Sequence, residues 1–165
     1  MILWIILELL KAEAEKCEPL SPHNLKILIV SDSNTLYRRA DNQEWTKAKE
    51  CQKEGAWTAN ILWAKWIWDA QCSQNSETIV FENKFAILGI PTAATLRIAC
   101  DNESSVTING DDAKCNVSSF SAGSEKNCSV SNYLKPGMNT AKFTVINGGG
   151  PGGLLYLIDI SANVG

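Results

Sequence analysis

The sequence predicts a mainly β protein, an antiparallel β-sandwich, and three observations carry that prediction. Short segments alternate apolar and polar residues at two-residue spacing, as in Ile79, Phe81, Phe85 and Ile87 of ETIVFENKFAI. Turn-forming pairs separate them, notably Asn109-Gly110 and Pro136-Gly137. No helical periodicity intervenes between these segments, which excludes βαβ units. At 165 residues the chain is long enough for one domain with a real core.

The chain opens on MILWIILELLKAEAEK, an apolar run that gives way to Ala, Glu and Lys. CEPLSPHN follows as a Pro-punctuated connector that ends any helix. NLKILIVSD is the first predicted strand, with Leu25, Ile27 and Ile29 alternating against Lys26 and Leu28. Residues 33–57 form a polar excursion pinned by Trp45 and Trp57, with a helical turn expected around Glu44 to Cys51. ILWAKWIWDA and ETIVFENKFAI are the next expected strands. TLRIACD places Leu96, Ile98 and Cys100 on one face, which points Cys100 into the core as a plain buried hydrophobe. SSVTI-NG-DDAKC is a hairpin, because Asn-Gly supplies the positive φ angles of a tight turn. NYLKPGMN sets Pro136 and Gly137 at the centre of a type II turn. AKFTVIN then turns Ala141, Phe143 and Val145 inward, and LLYLIDIS closes the chain.

The order AKWIWD, FENKFAI, ATLRIACDNESSVTING, YLKPGMNTAKFTVINGGGPGGLLYLIDI resembles the galactose-binding-like, jelly-roll β-sandwich superfamily over roughly residues 60–160. The resemblance implies a two-sheet jelly roll serving non-catalytic binding, often of carbohydrate, or a structural role. Ligand sites in that family lie on variable loops at one end, so no ligand residue transfers from the matched motifs. Some members hold a structural calcium ion. Asp101, Asn102, Asp111 and Asp112 would supply hard oxygens near two turns, but acidic turn residues are more often turn formers, and no metal or other cofactor is assigned.

A net charge of -3 without any Lys/Arg cluster argues against nucleic acid and anionic membrane as partners. Six cysteines without a C-x-x-C pair, and one histidine in a Pro-flanked linker (His23), favour disulfides over zinc. Cys115 and Cys128 flank a polar loop and are the first candidate pair; Cys51 and Cys72 are further candidates. Three sequons, at Asn102, Asn116 and Asn127, are candidate glycosylation sites. Cysteines and sequons together point to a secreted or cell-surface protein.

Catalysis has little support. There is no nucleophile elbow or H-E-x-x-H, and the acidic residues lie in hairpins. NGGGPGG lacks the Lys-Ser/Thr ending of a phosphate loop and precedes a strand, so its glycines are read as a bend between the last two strands. Trp63, Trp66 and Trp68 would make a sugar-stacking platform, but their apolar setting favours core packing. Trp45, Tyr37 and Tyr133, in polar surroundings, are the candidate ligand contacts.

The opening run is too short to span a bilayer, which takes about 20 apolar residues. It also lacks the basic start of a signal peptide. Retained on the chain, residues 1–20 are expected to form an assembly segment, most simply a helix, ahead of a sandwich over 21–165. Ile2, Leu3, Trp4, Ile5, Ile6, Leu7, Leu9 and Leu10 would be covered by neighbouring copies. The leading expectation is therefore a non-enzymatic structural glycoprotein that polymerises through this segment. The alternative is a lectin-like carbohydrate-binding module. Deleting residues 1–16 should leave monomers by size-exclusion chromatography with light scattering, whereas continued assembly would remove that role from the segment.

Overall fold

Twelve strands alternate with turns among the described residues. The computed structural model describes residues 23–42 and 44–164; the expected assembly segment, its helix and Cys17 lie outside them. The strands are β1 (His23–Val30), β2 (Leu36–Arg39), β3 (Thr46–Lys47), β4 (Lys49–Glu50), β5 (Ile67–Trp68), β6 (Glu77–Ile87), β7 (Ile90–Asp101), β8 (Glu103–Ile108), β9 (Asp111–Asp112), β10 (Lys126–Ser129), β11 (Gly137–Asn147) and β12 (Gly153–Val164). One short 3₁₀ turn, Ser131–Tyr133, precedes β11.

Two antiparallel sheets result. The first runs β10-β7-β12-β5-β4, and β1 takes the rest of the β12 edge, from His23↔Val164 to Val30↔Leu157. The second runs β3-β2-β6-β11-β8-β9. Side chains that alternate along each strand meet between the sheets. Leu96, Ile98 and Cys100 face Ile79, Phe81, Phe143, Val145, Val106 and Ile108, all buried. Each large apolar side chain so removed from water contributes roughly 2 kcal/mol before conformational entropy is counted.

One polar chain crosses this core. The Tyr156 hydroxyl on β12 shares a hydrogen bond with Thr35 Oγ1 at 2.9 Å and accepts another from Asn83 Nδ2 on β6 at 3.0 Å. It thereby links the two sheets. Satisfied on both sides, the buried phenol specifies register where an unpaired hydroxyl would cost stability.

Turn chemistry works as the sequence requires. Asn109 (φ 54°) and Gly110 (φ 94°) close the β8–β9 hairpin, and Gly137 (φ 81°) completes the Pro136-Gly137 turn. Pro91 enters β7 beside the irregularity at Ser161/Ala162, a place where a missing N–H is tolerated. Disulfides join Cys51 to Cys72 and Cys115 to Cys128, while Cys100 is free and buried. Disulfides of this kind persist in oxidising compartments.

Two expectations fail. The helical turn around Glu44 to Cys51 is absent: Thr46–Lys47 pairs with β2 and Lys49–Glu50 with β5, so the chain passes from one sheet to the other at Ala48. Edge pairing there outweighs the local helical preference of a Lys/Glu-rich stretch. ILWAKWIWDA is strand only at Ile67–Trp68; the residues before it cross the outside of the first sheet. Among the described residues no helix is long and apolar enough to cross a membrane.

Burial pushes the Tyr156 phenol up to about 12 from 10.0, and the Cys100 thiol up to about 12 from 9.0. Between their unfolded and folded values the native chain holds protons that the unfolded chain has lost. These groups therefore contribute fully below pH ~9, and their stabilisation falls as pH rises towards ~12. Guanidinium unfolding at pH 9, 10 and 11 should show this decline. Tyr156→Phe should cost about 1 kcal/mol at pH 7 and flatten the alkaline slope; an unchanged slope would show that the phenol does not carry it.

Candidate functional site

Residues 51–66 are strapped over the outer face of the first sheet by contacts at both ends. Cys51 N–H donates to Trp66 O at 2.8 Å, and the disulfide to Cys72 fixes the same point. The buried Trp57 indole donates to Asp101 Oδ2 at 2.7 Å and stacks on Trp66 at 4.5 Å. Ala59 N–H donates to Phe120 O (2.8 Å), and Lys65 N–H donates to Ser31 O (2.8 Å). Ser31 Oγ returns a bond to Lys65 O at 2.7 Å. Under this strap Trp57, Ile61 and Trp66 pack on Ala99, Leu155 and Leu157, forming a second, smaller core.

Between these anchors the chain turns at Ile61–Ala64, closed by Ala64 N–H donating to Ile61 O at 3.1 Å. Trp63 occupies the third position of the turn with φ 67°, where a glycine is normally needed. Trp63 is 62% exposed, and Leu62 before it 61%. Backbone strain of this kind persists where the surroundings over-determine it, and it clusters at ligand sites. The last residue of the turn, Ala64, lines an open cavity of ≈ 420 Å³ together with Glu50, Gln52, Asn60, Lys65, Trp66 and Leu155; Trp63 is not part of that lining. An exposed indole can take the apolar face of a ligand, and polar side chains of such a cavity its hydrogen-bonding rim.

The aromatic contacts expected from sequence fall elsewhere. Tyr37 is 7% exposed, against the expectation of a surface contact. It occupies the inward position of β2, its ring 6.4 Å from Phe81, and its hydroxyl accepts from Ala70 N–H at 3.2 Å. Tyr133 is half-buried in the 3₁₀ turn and packs against the main core. Trp45 is half-buried at the edge of the second sheet, with the Arg38 guanidinium 4.9 Å and the Lys142 ammonium 5.9 Å from its ring centre. Of the other tryptophans, Trp66 and Trp68 are core and Trp63 is not. The missed residue had a sequence signal: Trp63 lies outside the two-residue alternation of Trp66-Ile67-Trp68.

The acidic residues have structural partners. Asp112 accepts from the Lys114 ammonium and backbone N–H, which together hold its carboxyl below the usual range. Asp69, fully buried, pairs with Arg39 and accepts from the N–H groups of Gln71 (3.1 Å) and Ser73 (2.9 Å). The hydrogen bond and charge of Glu77 raise the Arg39 pKa against the cost of burial. Among the described residues no group of His, Cys, Asp or Glu is placed to hold a metal ion. Asn102, Asn116 and Asn127 are all exposed, and Asn102 Oδ1 accepts from Gly148 N–H at 2.7 Å.

Comparison with solved structures fixes the architecture. A β-glucuronidase from Dictyoglomus thermophilum superposes at TM-score 0.53 with 12% identity, covering 88% of this chain and 29% of that one. The likeness is one of fold, an antiparallel jelly-roll β-sandwich. An uncultured Clostridium sp. β-glucuronidase gives TM-score 0.53 at 10% identity, over 86% of this chain and 30% of that one. The chain thus spans less than a third of the length of these enzymes. A family 35 carbohydrate binding module from Clostridium thermocellum overlaps over 84% of this chain and 97% of its own, at 15% identity and TM-score 0.42. No protein-family model and no curated protein sequence matches the chain.

Glycine at position 63 removes the strain and little packing. Trp63→Gly should therefore keep the melting temperature or raise stability by up to about 1 kcal/mol, measured by calorimetry. A loss of more than that would show that the indole packs on the protein instead of standing free.

Proposed function

We propose that this chain is a secreted, non-catalytic carbohydrate-binding module that stacks a sugar ring on the Trp63 indole. The observation that carries the reading is the exposure of Trp63 at a strained turn position, one residue before Ala64 of a cavity lined by both polar and apolar side chains. A pyranose presents an apolar face of C–H groups and a rim of hydroxyls. The indole suits the face, and Gln52, Asn60, Lys65 and Glu50 suit the rim. The same fold forms less than a third of enzymes named β-glucuronidases, which supports an accessory role beside sugar chemistry.

The non-catalytic part is supported by carboxylates tied into structural pairs, as at Asp69, Asp101 and Asp112. Two disulfides and three exposed sequons support secretion and glycan attachment at Asn102, Asn116 and Asn127. The polymer-forming reading rests on residues 1–20 alone and stands second, because the carbohydrate reading draws on described side chains.

A glycan array followed by calorimetric titration is the test. Trp63→Ala should weaken the strongest glycan by at least about tenfold with the melting temperature held, the equivalent of about 1.4 kcal/mol. Trp45→Ala should leave that glycan unaffected. Equal affinities for the wild type and Trp63→Ala would place the ligand elsewhere, and a blank array would remove the function.

A further inference from the structure

We propose that the open face of the second sheet carries a separate site for an acidic saccharide. This face lies on the opposite side of the sandwich from the Trp63 turn. Strand register sets Leu36, Glu82, Lys142 and Thr107 in one row across β2, β6, β11 and β8, with Lys84 beside Thr140 in the next. Two turns raise a wall at the end of these rows. Asn109 Nδ2 donates to Tyr133 O and to Asn139 Oδ1, both at 2.8 Å, and Asn139 Nδ2 donates to Lys135 O at 2.7 Å. Hairpin and turn are thereby clipped together. The groove they bound holds ≈ 470 Å³, and Glu82, Lys84, Lys135 and Lys142 line it.

Glu82 points to the ligand. It is 4% exposed, yet its Oε1 accepts no hydrogen bond. Lys84 Nζ lies 3.0 Å from Oε1, within ion-pair distance but without hydrogen-bond geometry, and Lys142 Nζ lies 3.3 Å from Oε2. With its ammonium partner off-axis, Oε1 keeps lone-pair capacity for an aligned hydroxyl brought by a ligand, which gains more here than on open surface. The three lysines exceed the one carboxylate by two charges, in a chain whose net charge is -3. One ligand chemistry answers both features: a hydroxyl donor next to a carboxylate, as in a uronic-acid residue. Neutral sugar leaves the lysines uncompensated, and sulfate brings no donor for Glu82.

The test is calorimetric titration of the full chain with tri-galacturonic acid, its methyl ester and inorganic sulfate. The acid form should bind, at least about tenfold more tightly than the ester, as expected for one charge-assisted hydrogen bond. Its affinity should fall as salt is raised. Lys135→Ala, on an exposed turn, should weaken it. Glu82→Gln should also weaken the trisaccharide while leaving or strengthening sulfate, whereas a plain basic patch would bind both more tightly after that change. Melting curves of Glu82→Gln report its folding, and Lys135→Ala stands as an independent arm. Trp63→Ala should change nothing in this titration. Equal binding of acid and ester, tighter trisaccharide binding by Glu82→Gln, loss of binding in Trp63→Ala, or no binding at low millimolar ligand would each overturn the proposal.

Discussion

Burial of β12 on both faces is the constraint from which the rest of the structure follows. Its inward residues Leu154, Tyr156, Ile158 and Ile160 fill the space between the sheets, while Leu155 and Leu157 point the other way. Left bare, those outward residues would be an apolar stripe on the outside of the sandwich. The 51–66 strap covers them with three large side chains, Trp57, Ile61 and Trp66. The approach is close enough that a Cβ at Gly153 would lie 2.7 Å from Trp57 Cη2 and 2.8 Å from Trp66 Cε3. The glycines of NGGGPGG therefore serve more than a bend: Gly153 admits the tryptophans. β12 also offers two edges, one taken by β7 and the other divided between β1 and β5, so both are paired over much of its length.

The strap converts that packing need into a presented surface. Its rigidity comes from few anchors, each buried or covalent: the Cys51–Cys72 disulfide, the Trp57–Asp101 hydrogen bond and the exchange with Ser31. A chain held that firmly at both ends can carry an unfavourable φ at Trp63 in between. The second sheet behaves differently, because none of the described residues forms a strap over its outer face. Its long side chains pair with one another there, with Trp45 between Arg38 and Lys142, and Glu82 below Lys84 and Lys142. One face is thus apolar and strapped, and the other is polar and open.

Much of the sandwich was legible because strand geometry imposes a period of two wherever one face is buried. Ile79, Phe81, Phe143 and Val145 announce their faces by alternation alone, and Asn109-Gly110 and Pro136-Gly137 announce their turns by φ preference. The candidate sites were less legible. Tyr37 has polar sequence neighbours but an apolar spatial one, Phe81. The Lys/Glu-rich stretch around Glu44 to Cys51 looks helical in isolation, yet open sheet edges draw it into two short strands. Trp63 and Trp66 are three residues apart; the Trp66-Ile67-Trp68 alternation sets Trp63 apart, but what covers Trp66 is not local.

The sequence by itself determined the sandwich, the inward face of each long strand and the turns between them, since these follow from side-chain periodicity and backbone preference within a few residues. Only the tertiary structure decided which tryptophan is exposed and which carboxylate is buried among lysines. Those outcomes depend on what lies opposite. The strap settles on β12 only after β12 exists, and Glu82 meets Lys142 only through the β6–β11 register. Contacts between residues distant in the chain carry no local signature, and both candidate sites are built from them.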